Sequence, residues 1–274
     1  MRIRGQALVD TELAIDIPSF PTAVGQLVTE INSDNPAINR IVQLIECEPS
    51  LAAKLIASAN SPIYGARRQI RTVRHAVVIL GFRAVSSMVF SIAASDLLGS
   101  VDPKLAEFSS RILSDSLATA VVGRVLSAKS KWVEPDEAFL VGVMHEIGKL
   151  VLMQSVKNVN AEALLKASPE EEMELYGHNH LEVGRLCIEH WKLDPGFGQA
   201  IANHHCEFDE APDNLSKTLV LSQSLAHVWN LEKEVKPDGA AEVEREVAEK
   251  LETDVADMRE RCREQFEVVR DICT

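Results

Sequence analysis

The sequence predicts an all-α chain, and three observations predict it. Apolar residues recur at i, i+3, i+4 and i+7 through nearly all of the 274 residues. Strict apolar–polar alternation, the mark of half-buried strands, is not visible. The breaks between periodic runs fall at Pro, Gly and Asn, which start and stop helices for steric reasons.

Val24, Leu27, Val28 and Ile31 make the first apolar face, just after Pro21. Ile38, Ile41, Val42 and Ile45 repeat it after Asn35-Pro36. Asn35 is the expected cap there, and Pro36 suits a first turn where a missing N–H costs nothing. Glu48-Pro49 opens a third helix carrying Leu51, Leu55 and Ala59. Asn60-Ser61-Pro62 ends it, because the residue before proline avoids helical angles. Val73, Ala76, Val77 and Leu80 form a fourth, closed by Gly81. The apolar stretch around Ala76 to Leu80 is then interrupted by Gly81, Arg83, Ser86 and Ser87. The N-terminal third therefore reads as a bundle of short helices.

A longer helix is expected from near Pro103 through Leu113, Leu117, Val121 and Leu126. Trp132 to Asp136 is a connection. One buried helix follows from Phe139 to Val151, apolar around its whole circumference. Further helices are expected near Ala161 to Lys166, Leu181 to Trp191, Gly196 to His204 and Leu215 to Leu231. Lys236-Pro237-Asp238-Gly239 is a turn or linker. The tail beyond it carries Val243, Val247, Leu251, Val255, Met258, Cys262, Phe266 and Val269 on one seam, its other faces rich in Glu and Arg. The expected organisation is an N-terminal helical lobe over residues 1–100, a second helical lobe over 101–235 and an amphipathic helical tail over 236–274. The lobes divide near Gly99 to Lys104. The tail reads as a pair of helices docked on the domain, with a homodimerising or partner-binding face as the alternative.

Composition narrows the function. The formal charge is −13, the wrong sign for general binding along a phosphate backbone, whose affinity rests on neutralising phosphates. Cys47, Cys187, Cys206, Cys262 and Cys273 are odd in number, scattered and free of any Cys-x-x-Cys pair, which fits free thiols in a reducing compartment. No apolar run approaches a membrane span, and the first residues do not form a signal peptide. A cytoplasmic protein is expected. Trp132, Trp191 and Trp229 read as core anchors, and Arg67, Arg68, Arg71 and Arg74 as a solvated basic face or an anion contact. Asn60, Ser61 and Tyr64 read as local backbone caps, or as a polar signature that holds two helices together.

The chemistry-bearing residues lie in the second half. His145 and Glu146 stand side by side in an otherwise apolar segment, where charge is costly unless compensated. Downstream come His178 and His180, then His190, then His204-His205-Cys206-Glu207. Imidazoles and carboxylates held on helices are what a divalent cation needs, although histidine serves equally as a buried polar residue. There is no phosphate-cradling glycine loop, nucleophile elbow or zinc-finger spacing.

His145-Glu146-Ile147-Gly148-Lys149 resembles the His-Asp-Ile-Gly-Lys core of the HD superfamily of metal-dependent phosphohydrolases. Gly177-His-Asn-His180-Leu-Glu-Val-Gly184 and Ala202-Asn-His204-His205 resemble its later histidine stations. Ile17-Pro-Ser-Phe-Pro21, Ile45-Glu-Cys-Glu-Pro49, Leu55-Ile-Ala-Ser-Ala-Asn60-Ser-Pro-Ile-Tyr64 and Ile70-Arg-Thr-Val-Arg-His-Ala76-Val-Val-Ile-Leu80-Gly81 narrow the likeness to the HDOD family, an HD-related output domain of bacterial signalling proteins. The resemblance runs from about Ile17 to Leu231. It implies an HD-like helical bundle in the second lobe, in which His145, Glu146, His180, His204 and His205 converge. It also implies altered stations: Asp115 where a leading histidine stands, Glu146 for the aspartate of the pair, and Gln223 for the closing aspartate. His145, Glu146, His180, His204, His205 and Asp115 are thus the candidate metal ligands. No cofactor is expected, with a weakly held divalent cation (Mn, Mg or Fe) as the alternative. The resemblance implies a signalling module that acts through contacts with another protein, without efficient catalysis. A metal-dependent phosphohydrolase acting on a nucleotide or another phosphate ester is the alternative.

Overall fold

The computed structural model describes residues 15–31, 33, 35–65, 69–99, 105–156, 160–231, 240–251, 255 and 257–273. Among these residues the fold is all helix, with no strand. Helices α1 (Thr22–Ile31), α2 (Ile38–Glu46), α3 (Pro49–Ala59), α4 (Val73–Leu80) and α5 (Phe82–Gly99) form the N-terminal part. Then come α6 (Ala106–Ser130), α7 (Pro135–Met144), α8 (Ile147–Ser155), α9 (Ala161–Lys166), α10 (Pro169–Tyr176), α11 (His180–His190), α12 (Pro195–Ala202) and α13 (Asn214–Trp229). The tail forms α14 (Ala240–Leu251) and α15 (Met258–Cys273). The expected division between lobes falls largely on Ser100 to Lys104, outside the described residues.

Three local expectations change. Helix α2 starts at Ile38 with Ala37 at its N-cap, and Asn35 does not cap it. Instead the Ala37 amide donates to Glu30 Oε1 at 2.8 Å, so a side chain from α1 satisfies that helix start. The N-terminal part is also not built of short helices alone, since α5 runs for 18 residues. Its serines hid it. Ser86 and Ser95 are buried and turn their hydroxyls onto the carbonyls of Phe82 and Ser91, so a helix that is buried all round does not look apolar in sequence. Third, the segment from Phe139 to Val151 is two helices, broken at His145 and Glu146.

Helix α6 is the hub. It packs against α5, α7, α13 and α15. The crossing with α7 is close because position 142 is glycine. A Cβ there would sit 2.5 Å from Ala120 Cα. The tail docks as a helix pair, with α14 on α13 and α15 on α6. Val247, Val255, Met258, Cys262, Phe266 and Val269 are buried within the chain. Trp229 is fully buried and donates its indole N–H to Glu244 Oε1 at 2.6 Å, which ties α13 to α14.

A second buried polar contact ties the segment after α3 to α6 and α7. Asn60 acts locally: its side chain accepts from Ile70 N at 2.7 Å and donates to Ile70 O at 2.7 Å, closing the loop after α3. Tyr64 reaches further. Its hydroxyl accepts from Arg124 of α6 at 2.6 Å, and the same guanidinium nitrogen donates to Asp136 Oδ1 at 2.9 Å. The guanidinium carbon stands 4.0 Å from the centre of the Phe139 ring. Of the basic cluster, Arg67 and Arg68 lie outside the described residues. Arg71 and Arg74 are exposed, and Arg74 donates to Asn39.

Candidate metal centre

The histidines come together from helix ends. His145 and Glu146 occupy the break between α7 and α8, His180 opens α11, and His204 and His205 follow the end of α12. The break has a side-chain cause. His145 Nδ1 donates to Gly142 O at 2.8 Å, so the imidazole takes over a helix carbonyl. His204 does the same at the end of α12, donating from Nδ1 to Ile201 O at 2.7 Å. In both residues a carbonyl acceptor fixes the proton on Nδ1 and leaves the Nε2 lone pair pointing elsewhere.

His180 is fixed by a residue that sequence reasoning missed. Glu172 of α10 accepts from the His180 backbone N–H at 2.7 Å and from its Nδ1 at 2.6 Å. Both side chains are 0% exposed. A buried carboxylate against the far nitrogen of a histidine is the usual support for a metal-binding imidazole, since it sets the tautomer and raises basicity. The available signal was Ser168-Pro169-Glu-Glu171, whose reciprocal capping box starts α10 and places Glu172 one turn in.

Close packing seats His180. Glycine at 148 lets α8 lie directly on the start of α11, where a Cβ would stand 2.0 Å from His180 O. One ligand atom each from Glu146, His180, His204 and His205 then lies within 4.8 Å of all the others. His145 completes the convergence but not that four-atom set. Its ring packs edge-on against His204, with centroids 5.1 Å apart. Asp115 lies outside that set. Asp115 lines a cavity with Arg111, His227 and Phe266. Gln223 lines a second cavity of about 440 Å³, bounded by His204, His205, His227 and, from the tail, Val247 and Lys250.

The donor chemistry fits a divalent cation. Among the described residues His180 Nε2, His204 Nε2 and Glu146 Oε2 are buried without a hydrogen-bond partner. Such atoms are costly to bury unless something binds them. Burial holds the His145 and His204 imidazoles below the ordinary 6.5, in the neutral form that a metal requires. Burial pushes the Glu146 carboxyl up, but an opposing pull led by the charge of Lys149, with Nζ 3.5 Å away, holds the group down to about 2. His205 is exposed and leaves the cluster open to solvent on one side.

The HDOD domain family matches residues 17–207. Among solved structures, a Shewanella amazonensis protein described as a candidate phosphohydrolase is 22% identical, with a TM-score of 0.70 over 93% of this chain and 94% of that one. An HDOD domain protein of unknown function from Geobacter sulfurreducens is 22% identical, with a TM-score of 0.65 over 86% and 82%. At these identities the likeness shows the fold. An uncharacterised protein of Treponema pallidum (strain Nichols) is 22% identical over 228 residues, which are 78% of this chain and 42% of that one. The chain thus spans less than half the length of the curated relatives it matches. Among the described residues no helix is long and apolar enough to cross a membrane.

Proposed function

The chain belongs to the HDOD domain family, and from that premise we propose a cytoplasmic signalling module that works through protein contacts. In this reading Glu146, His180, His204 and His205 hold a single divalent cation as part of the folded core, without efficient catalysis. The observation that carries the reading is the donor set itself, with its three imidazoles and one carboxylate. One carboxylate neutralises only half of a divalent charge, and the donor set offers no second carboxylate for a second cation. Lys149 also competes for that carboxylate. Asp115 faces another cavity, and Gln223 offers only a neutral amide.

A bound cation would supply Lewis acidity and an acidified water. The chain's own groups do the positioning. Glu172 and the carbonyl of Ile201 hold the His180 and His204 imidazoles in one tautomer, and the Gly142 carbonyl does the same for the neighbouring His145. The hydrolase reading is favoured by one observation, the cavity of about 440 Å³ that reaches His204 and His205 and is wide enough for a small phosphate ester.

Metal content of the purified chain, followed by hydrolysis of nucleotide and generic phosphate substrates with Mn, Mg and Fe in turn, tests the choice. The expected result is at most one equivalent of metal and turnover far below the ordinary range of about 1–1,000 per second. Turnover within that range, abolished by His204→Ala, would establish the hydrolase instead.

A further inference from the structure

A cleft lies where the two halves of the chain meet, away from the histidines. It encloses about 170 Å³ between α1, α5, α7 and α12. Its floor is apolar and buried, made by Val28, Phe90 and Leu140. Phe82 and Phe197 stand half-buried at its sides. This is room for one large side chain, with aromatic walls already in place, and such preformed pockets are where interfaces seat their anchor residues.

The rim has one sign. Glu134, Asp136, Glu137 and Asp194 line it, against the single cation Arg83. Arg83 is 3.8 Å from Glu137, and its side chain is 79% exposed. Asp136 is engaged by Arg124 behind the cleft, but Glu134 and Asp194 reach solvent. The Glu137 carboxyl is pushed up by burial and further by Glu134, Asp194 and Asp136, with Arg83 opposing. A cation arriving here relieves that repulsion, and carboxylates around an apolar hole select against acidic partners.

We propose that this cleft docks a basic segment of a partner protein, which inserts one bulky apolar side chain between Phe82 and Phe197 and sets lysines or arginines against Glu134, Glu137 and Asp194. The proposal rests on the contact-module reading and names its surface. Because α1 and α5 come from one half and α7 and α12 from the other, an occupant touches both halves at once.

The test is binding of the full chain to labelled peptides by fluorescence anisotropy. The probes are Gly-Lys-Arg-Phe-Lys-Arg-Gly, the same peptide with Phe replaced by Ala, and the same peptide with Glu in place of every Lys and Arg. The first should bind with a dissociation constant below ~1 mM. The alanine peptide should bind at least about tenfold more weakly, and the acidic peptide should not bind. Glu134→Lys, at an exposed position, should weaken the first peptide at least about fivefold. Phe197→Ala should weaken it as the peptide's own Phe-to-Ala change does. Equal binding of the phenylalanine and alanine peptides, indifference to Glu134→Lys, or no binding at ~1 mM would overturn the proposal. The hydrolysis assay decides the underlying reading separately. Peptide binding by an active hydrolase would leave the cleft standing and sink the module reading, whereas an inactive chain that ignores the peptides would do the reverse.

Discussion

Two buried polar knots lie within the same helical chain and are built on opposite rules. Around Arg124 the groups meet one another: the guanidinium bonds Tyr64 and Asp136 and covers Phe139, although its Nε is left without an acceptor. Around His204 the groups do not. The imidazoles of His145, His180 and His204 are bonded at their outer nitrogens, while the inner nitrogens of His180 and His204 and one oxygen of Glu146 are left unpartnered. The first arrangement draws its main partners from the chain itself and so reads as a clamp. The second carries a desolvation cost that a cation would remove. Satisfaction of polar groups, rather than their burial or their charge, separates a structural knot from a binding one.

The largest blow to the second knot should come from Gly148→Ala. The new Cβ meets the His180 carbonyl at 2.0 Å and the Gly184 amide at 2.8 Å, both backbone. A loss of about 3 kcal/mol or more is expected, read as a fall in Tm together with loss of metal binding. Next, saturating Mn should raise stability in proportion to occupancy, by about 2.7 kcal/mol at a hundred times the dissociation constant. His204→Ala should remove that gain, and a manganese-insensitive Tm in the wild type would break the comparison. Arg124→Met should cost about 2 kcal/mol, because the Tyr64 hydroxyl and Asp136 lose a charged donor. Its metal affinity, measured by calorimetry, should equal that of the wild type. Glu172→Gln should keep the fold but weaken the metal at least about tenfold, since a neutral amide supports His180 less well than a carboxylate. The smallest effect is acid sensitivity of the metal-free chain. His145 and His204 have folded values below 6.5, so unfolded copies take up protons first and stability is complete only above that pH. About 1 kcal/mol should be lost between pH 7 and 6, visible in denaturant midpoints. Constant midpoints over that interval would contradict neutral burial.

Much of this was legible in the chain itself. The helices follow from periodicity, and His145, Glu146, His180, His204 and His205 were singled out by their motifs. Three features were not legible, each for a physical reason. Helix α5 hides because its buried serines satisfy themselves on their own carbonyls. The break at His145 hides because a side chain, not a proline or glycine, takes the Gly142 carbonyl. Glu172 hides among the glutamates of a segment that reads as solvated, and only the packing of α10 on α11 shows that this one is buried. Periodicity reports which face of a helix is apolar. It says nothing about a single polar group that finds its partner on another helix.

The position of α14 gives the molecule an order in time. The cavity beside His204 and His205 takes part of its wall from Val243, Val247 and Lys250, tens of residues after the histidines in the chain. On the ribosome the segments from His145 to His205 emerge and can pack first, since chains fold from the N-terminus as they are made. Until residue 250 has left the exit tunnel, the histidine cluster faces the cell through an unfinished wall. On the metal-holding reading proposed above, a cation would reach the nascent cluster by a wider path than the finished protein offers, and loading during synthesis should outpace loading afterwards.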